Sequence, residues 1–317
     1  LITMFLTITF SPSVDLIIQT QDFEINQLNR YKNFNIFPGG KGINASVVLN
    51  RMGFTNQAIS FFDNDTFNNL ASFWQKENLN IINIANNKTK TTRYNVKMFA
   101  ENASFFELNG PKNEISNFQK NKLKKILNSL NKNDFVYILG VVEEELLTQI
   151  CEILKKKQVK FGLDIDTNNI EKFLAFEPYF YKPNIDELRT NFKLTKDDNI
   201  LQTLKQIQAK GSKNILLSLG QEGCILLDEK QNFYKSWVET KIKVKSTVGA
   251  GDTLGSVFIA NYLKTKNVAK SLILASACAS STVSQWWLTK KKEALSFKKY
   301  IKIKKLKNDQ TNKDFIL

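Results

Sequence analysis

The stretch Ser246-Thr-Val-Gly-Ala-Gly-Asp252-Thr-Leu-Gly-Ser256 combines a glycine-rich turn with an acid at the start of a predicted helix. The apolar run that ends at Val244 predicts a strand before the turn, and Thr253 to Leu263 predicts the helix after it. Gly249 and Gly251 permit a tight backbone whose N–H groups converge at a helix N-terminus. Such a turn is a binding site for anions, phosphate among them.

Asp252 lies at the mouth of this turn, where its charge would repel a bound phosphate unless it had another task. A carboxylate there can take the proton of a hydroxyl group, while the amides of Gly249, Ala250, Gly251 and Asp252 stabilise a phosphoryl group in transit. The alternative is a glycine-capped turn with Asp252 as an ordinary N-cap. For an isolated motif the alternative is favoured, because short glycine motifs are frequent by chance. A second glycine-rich site upstream reverses this preference.

The upstream site is Phe37-Pro-Gly-Gly-Lys-Gly-Ile-Asn44, ahead of a predicted helix from Ala45 to Met52. Its glycines let the backbone approach a ligand, and its two polar side chains can bind anionic or hydroxyl oxygens. The residues available to a ligand are Gly39, Gly40, Lys41 and Asn44. The site is not a Walker A loop, because Gly rather than Ser or Thr follows the Gly-Lys pair.

Composition excludes several chemistries. The chain has 317 residues, 42% of them hydrophobic, which suffices for one large α/β domain or two smaller ones. It contains no histidine, so no histidine triad, histidine metal site or imidazole base is available. Acid–base work therefore falls to carboxylates or lysines. Cys151, Cys224 and Cys278 lie far apart in apolar runs, which indicates reduced core thiols of an intracellular protein.

The net charge is +15, and residues 289–317 carry ten lysines against Glu293, Asp309 and Asp314. A basic balance admits nucleic acid or anionic substrates as partners. The lysines are scattered over most of the chain and no nucleic-acid module is recognisable, so we predict no nucleic-acid partner. The sequence has no stretch of 18 uninterrupted apolar residues, so we expect no membrane partner. No basic region precedes the apolar start, as a signal peptide would have, so we expect a cytoplasmic location.

Three further polar residues are candidates for ligand binding. Asp15 follows the predicted strand Phe5–Phe10, at the sheet edge where open α/β sheets bind ligands, although it could simply form a turn. Arg93 and Lys97 are four residues apart in a predicted strand and would share a face suited to a phosphate. A solvated basic face is the alternative for that pair.

The second half of the chain carries candidates for nucleotide and metal binding. Asn184 and Glu187 begin a predicted helix, so their oxygens could reach water ligands of Mg²⁺, or they could only cap the helix. The runs Asn214–Gly220 and Cys224–Asp228 predict two strands joined by a glycine-containing turn. That turn could flank the phosphates of ATP or merely connect the strands.

Helix-like and strand-like runs alternate between residues 113 and 290, which predicts βαβ units around a mainly parallel sheet with helices on both faces. The clearest runs are Phe118–Leu130, Phe135–Leu139, Glu144–Lys157 and Lys160–Asp164. The non-helical segments near 16–37 and 90–108 do not fit this layering. We predict that they form a small antiparallel sheet over the site.

The two glycine motifs, in this order and about two hundred residues apart, resemble the two signatures of the ribokinase-like (PfkB) carbohydrate kinases. The resemblance extends over the chain from Met4, and within the family it is strongest to the members that phosphorylate fructose 1-phosphate or tagatose 6-phosphate. The other segments that carry it are Met4–Asp15, Thr92–Lys97, Glu107–Pro111, Lys182–Leu188 and Ser218–Gly223.

This resemblance implies an α/β fold of three αβα layers with a mainly parallel sheet, formed by residues 1–317 as one domain. The small sheet would be a lid and could pair two copies into a homodimer. ATP and Mg²⁺ would be the cofactors, and Asp252 the general base. The sugar phosphate would be held by Asp15, Gly39, Gly40, Lys41, Asn44 and Arg93. The nucleotide would be held by Lys182, Asn184, Ser218, Gly220 and Gly223, with Asn184 and Glu187 reaching the metal through water.

The expected reaction is ATP-dependent phosphorylation of D-fructose 1-phosphate to the 1,6-bisphosphate. Tagatose 6-phosphate, an unphosphorylated sugar or a nucleoside are alternative acceptors, and Arg93 favours an anionic one. The loop from Gly140 to Glu145 is shorter than the family pattern, and Ser11 stands where the most similar members have Asn. The short loop motivates another class of function, a binding or regulatory protein on a kinase scaffold.

Overall fold

The computed structural model describes residues 2–85, 92–101, 105–195 and 197–307, and its strands form two sheets. Strands and helices are numbered in chain order. The large sheet contains β1 (Phe5–Thr9), β4 (Gln57–Ser60), β5 (Ile81–Asn83), β8 (Phe135–Gly140), β9 (Lys160–Ile165), β10 (Phe180–Tyr181), β11 (Asn214–Ser218), β12 (Cys224–Leu227), β13 (Phe233–Val238) and β14 (Ile301–Leu306). The small sheet contains β2 (Ser13–Thr20), β3 (Asn33–Gly39), β6 (Arg93–Ala100) and β7 (Phe105–Asn109).

The helices cover both faces of the large sheet. They are α1 (Lys41–Arg51), α2 (Asn64–Asn69), α3 (Ala71–Lys76), α4 (Asn117–Ser129), α5 (Glu144–Lys156), α6 (Ile170–Leu174), α7 (Ile185–Phe192), α8 (Ile200–Ala209), α9 (Ala250–Thr265), α10 (Val268–Val283) and α11 (Lys291–Phe297). Within the described ranges, no helix has the length and apolarity that a bilayer span requires.

The large sheet has the strand order β14-β13-β12-β11-β10-β9-β8-β1-β4-β5. Neighbours from β11 to β5 pair in parallel, whereas β11 to β14 pair antiparallel. Alternate residues of β8 serve the two halves of the core: Val136 and Ile138 pack with α4, α5 and α8, and Tyr137 packs with α1, α9 and α10. The predicted three-layer αβα fold with a mainly parallel sheet is confirmed.

The small sheet has the order β3-β2-β6-β7. Its central pair, β2 with β6, is parallel, and the outer pairs are antiparallel. The prediction of a small separate sheet near 16–37 and 90–108 is therefore confirmed, but the prediction that it is purely antiparallel is wrong. Residues 90, 91 and 102–104 of those segments lie outside the described residues, as do Asp309 and Asp314 of the basic tail.

Three predicted boundaries differ from the structure. The helix predicted to begin at Ala45 begins at Lys41, and the helix predicted to begin at Thr253 begins at Ala250. Each helix begins at the residue that follows an N-cap glycine with a positive φ, Gly40 for α1 and Gly249 for α9. The strand predicted to end at Val244 ends at Val238. It pairs at the sheet edge with β14, which comes from the lysine-rich C-terminal segment.

Candidate active site

The turn before α9 leaves backbone N–H groups available at the start of the helix. Gly249 is the N-cap, in a left-handed conformation with φ of 77°, which favours glycine. The amide of Thr253 donates to the Gly249 carbonyl at 2.9 Å, so the N–H groups of Gly251 and Asp252 precede the first intrahelical hydrogen bond. The helix dipole adds positive potential at this end, which makes the turn an anion site.

Asp252 is the third residue of α9 and not its N-cap, so the simple capping interpretation is wrong. It is 7% exposed, and Asn44 of α1 donates its Nδ2 to Oδ2 of Asp252 at 2.9 Å. Burial raises the pKa of the Asp252 carboxyl, while the positive charge of Lys41 acts in the opposite direction. A buried carboxyl with a raised pKa at a helix N-terminus is suited to accept a proton.

The first turn of α1 supplies two polar groups to this carboxyl. Gly40, with φ of 114°, is the N-cap, so the helix begins at Lys41 and carries Asn44 one turn later on the same side. Gly42 packs directly on β1: a β-carbon at Gly42 would lie 2.8 Å from the carbonyl oxygen of Ile8. The glycines of this motif therefore bring α1 against the sheet edge as well as opening the backbone to a ligand.

Asp164, at the end of β9, is a site residue that the sequence did not single out. It is fully buried between two lysines: Lys41 Nζ lies 2.9 Å from Oδ1 and Lys182 Nζ lies 3.1 Å from Oδ2. Burial alone would raise the pKa of Asp164, but the two lysines lower it below the ordinary value. Asp164 also raises the pKa of Lys41. An acid at the carboxyl end of a predicted parallel strand was the available signal.

Lys182 reaches this cluster across the first turns of α9. A β-carbon at Gly251 would lie 3.6 Å from Lys182 Nζ, and one at Gly255 would overlap both Lys182 and the Tyr137 hydroxyl. Burial raises the pKa of Tyr137 well above its ordinary value, so its hydroxyl stays neutral. The predicted residues Gly249, Ala250, Gly251, Asp252, Lys41, Asn44 and Lys182 thus come together with Asp164 at the carboxyl edge of the large sheet.

The small sheet contributes a second group of polar residues, next to the group of residues around Asp252. Asp15 is buried and accepts hydrogen bonds from Ser13 Oγ at 2.7 Å, Asn95 Nδ2 at 2.8 Å and Lys97 Nζ at 2.7 Å. Gly39 packs so closely on Asp15 that a β-carbon there would overlap its carboxylate. Because Gly39 and Gly40 lead directly into α1, this group adjoins the Asp252 cluster.

Arg93 and Lys97 have different environments, although both lie on the face of β6 that carries Asn95. Lys97 is buried and ion-paired with Asp15, so a solvated basic face is excluded for it. Arg93 is half-buried and donates through Nη2 to the Ser11 carbonyl at 3.2 Å. Within the described residues its Nε has no hydrogen-bond partner. Burial lowers the pKa of Arg93, and Asp15 opposes that shift.

The sequence pattern of the pfkB family of carbohydrate kinases matches residues 9–289, which includes both glycine motifs and every residue of the two groups. The chain belongs to the pfkB family of carbohydrate kinases. It is a sugar-phosphate kinase, and its fold and site geometry agree with that membership.

Curated relatives span most of this kinase. It is 32% identical over 265 residues to the 1-phosphofructokinase of Borreliella burgdorferi, covering 81% of this chain and 84% of the relative. It is 28% identical over 296 residues to the D-tagatose-1-phosphate kinase of Bacillus licheniformis, covering 88% and 92%. The crystal structure of phosphofructokinase-2 from Escherichia coli in complex with substrates and products has the same fold, with a TM-score of 0.87 over 93% of this chain and 98% of that one, at 22% identity.

The residues expected to face the nucleotide in this kinase follow strands β10 and β11. Asn184 and Ser218 form a parallel bridge that joins the ends of β10 and β11, and Gly220 begins a short 3₁₀ turn. Gly223 ends that turn with φ of 84°, and a β-carbon there would overlap the Ser236 carbonyl. Gly223 therefore has a packing role that does not depend on a nucleotide.

Asn184 and Glu187 form a reciprocal capping box at the start of α7. The Asn184 amide donates to Glu187 Oε2 at 2.9 Å, and the Glu187 amide donates to Asn184 Oδ1 at 2.8 Å. This is the capping arrangement considered for the pair. The box uses only Oε2 of the Glu187 carboxylate, so its other carboxylate oxygen takes no part in capping.

Glu187→Gln in this kinase is expected to raise the Mg²⁺ concentration at half-maximal rate by about 10-fold. Its melting temperature should remain close to that of the parent, because Gln preserves the capping box. Titration of Mg²⁺ in a rate assay, together with a thermal melt, measures both. Asp186→Asn, an exposed neighbour in the same helical turn, is the control. A variant that melts earlier but responds normally to Mg²⁺ would show that Glu187 acts only as a cap.

Proposed function

We propose that this kinase transfers the terminal phosphoryl group of ATP to the 6-hydroxyl of D-fructose 1-phosphate, giving the 1,6-bisphosphate and ADP. The observation that carries the proposal is the buried Asp252 with its raised pKa, placed at the anion-binding turn and held by Asn44. A cytoplasmic location, where ATP is supplied, is part of the proposal.

The mechanism assigns each step to a residue of the two groups. Asp252 takes the proton of the acceptor hydroxyl as this oxygen attacks, and Asn44 holds the carboxylate in orientation. The amides of Gly249, Gly251 and Asp252 stabilise the negative charge of the phosphoryl group in transit, whereas the Ala250 amide donates to the Thr247 carbonyl at 3.3 Å. Lys41, fixed by Asp164, adds a positive charge beside the same path. Phosphoryl transfer depends on positioning and electrostatics, so no further reactive side chain is needed.

Mg²⁺ fits this site as an ion whose ligands would be mainly phosphate oxygens of ATP and water molecules. The described residues contain no cluster of three or more acidic or cysteine side chains that could cage a metal. Mg²⁺ keeps several waters and is commonly bound through one or two carboxylates plus substrate phosphates. Glu187, with Asn184 beside it, would hold such a water. When bound, the ion neutralises charge on the phosphate oxygens.

Arg93 supports an acceptor that already carries a phosphate. Its guanidinium lies at the polar face of the small sheet near Asp15, with Nε free of hydrogen bonds among the described residues. A free sugar or a nucleoside offers no partner for this charge, whereas a phosphate accepts charge-assisted hydrogen bonds from it. Asp15 then remains to receive a sugar hydroxyl, because a carboxylate accepts several hydrogen bonds.

Arg93→Met is expected to raise the KM for the sugar phosphate by about 10- to 150-fold, which corresponds to the roughly 1.5–3 kcal/mol of a charge-assisted contact. The KM for ATP should stay nearly unchanged. Steady-state kinetics with each substrate varied in turn measures both. Arg30→Met removes an exposed arginine and serves as the control. An equal loss for ATP would place Arg93 on the nucleotide side instead.

The acceptor is tested by ADP release over fructose 1-phosphate, tagatose 1-phosphate, tagatose 6-phosphate, fructose and adenosine. The highest kcat/KM is expected for fructose 1-phosphate. D-tagatose 1-phosphate is the second candidate, because the similar Bacillus licheniformis protein is named for that substrate. Preference for an unphosphorylated sugar or adenosine would overturn the proposal. Binding of ATP without turnover of any acceptor would favour a regulatory role on a kinase scaffold.

We also propose that two copies of the chain pair through the small sheet. Asp15, Asn95 and Lys97 lie on one face of this sheet, and strand alternation gives the opposite face a mainly apolar surface. Its exposed residues are Phe34, Ile36, Tyr94, Phe106 and Leu108. A continuous exposed apolar patch of this kind is typical of an interface, and a second copy supplies the matching one.

The double substitution Phe106→Lys and Leu108→Glu is expected to convert a dimer into a monomer, because it places two charges on the outer strand β7 of this apolar face, where they would lose their water on pairing. Light scattering after size-exclusion chromatography measures the mass directly. Phe118→Glu, which changes an equally exposed aromatic residue on α4, should leave the dimer intact. A parent protein that is monomeric at assay concentration would refute the pairing.

A further inference from the structure

Two adjacent tryptophans follow α10 and lie between the small sheet and the body of the kinase. Trp287 stacks on Phe37 of β3, with ring centroids 4.3 Å apart and ring planes 7° apart. Trp286 packs against Phe99 of β6 with centroids 5.5 Å apart. Strands β3 and β6 flank β2, the strand that carries Asp15. The tryptophan pair therefore supports the small sheet on both sides of its acceptor-binding strand.

The two aromatic contacts are on the face of the small sheet that carries Asp15 and Lys97. Phe37 is the register partner of Asp15, and residues paired in adjacent strands share a face. Phe99 lies two residues after Lys97 in β6, so it is also on that face. Trp286 and Trp287 thus hold the sheet by the same surface that would bind the acceptor.

The next residue connects the tryptophans to the phosphoryl-binding turn. Leu288 packs so closely on Gly249 that a β-carbon at Gly249 would overlap its side chain. Arg51, at the end of α1, lies over the Trp287 ring at 5.0 Å and donates to the Leu288 carbonyl at 2.7 Å. Glu77 holds Arg51 through two hydrogen bonds of 2.8 and 2.6 Å. The backbone at Trp287 and Leu288 is therefore fixed to the helix that begins with Lys41.

From this arrangement we infer that Trp287 is a positioning residue for the reaction. It sets the placement of the acceptor-binding face relative to the Gly249 turn, and hence the distance from the acceptor hydroxyl to Asp252. The inference rests on the proposed function, and Trp287 itself touches neither substrate in this scheme. Reacting atoms must approach to about 3–3.5 Å, and a misplacement of about 1 Å can cost roughly 10²-fold in rate. Loss of the stack should therefore lower kcat.

The test compares Trp287→Leu, Phe37→Leu and the double variant in steady-state kinetics and in calorimetric titrations of fructose 1-phosphate without ATP. Each single variant is expected to lose about 10- to 100-fold in kcat. The acceptor Kd should change little, because Asp15 and Arg93, the charged side chains of the small sheet proposed to hold it, do not contact Trp287. The kcat of the double variant should be at most about twofold below that of the slower single variant, because both substitutions remove the same contact between Trp287 and Phe37.

Phe173→Leu is the control. Phe173 is a fully buried aromatic residue of α6, and it packs in the half of the core on the other face of the large sheet from Trp287. The control should lose stability and keep kcat. Phe37→Leu keeps the test decisive if Trp287→Leu does not fold, because Phe37 is only half-buried.

Unchanged kcat in both single variants, or a rise in acceptor KM alone, would overturn the positioning role. Losses that multiply in the double variant would also overturn it, because they would mean two independent contributions. A parent protein that turns over none of the tested acceptors would instead refute the proposed function, so the two failures are distinguishable.

Discussion

Asp252→Asn is expected to lower kcat by about 10²- to 10⁴-fold, the usual contribution of a general base. Asn has nearly the same shape, and its side-chain oxygen can still accept the hydrogen bond that Asn44 donates at 2.9 Å. The affinity for ATP should hold or increase, because a negative charge facing the phosphates is removed. Rates measured at saturating substrate, with nucleotide binding measured separately, give both quantities.

The stability of this variant follows from the direction of the pKa shift. Burial raises the pKa of Asp252 in the folded state, so the stability that this group contributes is present below its unfolded pKa and is lost as the pH rises through the folded one. At neutral pH the ionised carboxylate is therefore a cost to folding. Asp252→Asn should unfold at the same denaturant concentration as the parent or at a higher one.

The same shift predicts the pH profile of the parent enzyme. The base must be ionised to accept a proton, so kcat should fall on acidification at a pH above the ordinary range for an aspartic acid. Asp134→Asn is the control and should leave kcat unaltered. Asp134 is also a buried acid, but it precedes β8 at the opposite edge of the sheet. Near-full activity of Asp252→Asn would refute its role as the base.

The two glycine motifs were sufficient to find the centre of the site, because a glycine-to-helix turn fixes its neighbours locally. Lys41 and Asn44 follow Gly40, and Asp252 follows Gly249, so short-range geometry already aims them at the sheet edge. The helix starts were misplaced for a related reason. Propensity favours beginning a helix after its glycines, whereas here a positive φ at the N-cap glycine begins it at the next residue.

The partners of these residues could not be predicted in the same way. Asp15 and Lys97 are far apart in sequence, and only the parallel register of β2 with β6 turns an expected phosphate contact into a buried ion pair. The sequence also did not indicate that the lysine-rich segment at β14 would form a strand. Its sequence reads as a charged tail, yet Ile301 and Leu306 are buried against the sheet while the lysines remain at an edge strand. Tertiary pairing decided both cases.

Asp164→Asn is expected to lower the free energy of unfolding by about 3–5 kcal/mol, because it leaves buried lysine charge without its counter-ion. Asp164 is fully buried, and Lys182, which pairs with it at 3.1 Å, is also buried. Because the two lysines hold the folded-state pKa of Asp164 low, its contribution is present above the unfolded pKa and lost as the pH falls through the folded one. The difference between parent and variant should therefore shrink in acid.

Denaturant unfolding at neutral and acidic pH measures this difference, and two variants control for it. Glu101→Gln breaks the exposed Lys32–Glu101 pair, whose side chains are 49% and 65% exposed, and should cost at most about 1 kcal/mol. Lys182→Met combined with Asp164→Asn removes the stranded charge as well, so much of the lost stability should return. Parent-like unfolding of Asp164→Asn at neutral pH would mean that Lys41 and Lys182 are held in place by other contacts, and the central role given to Asp164 would be wrong.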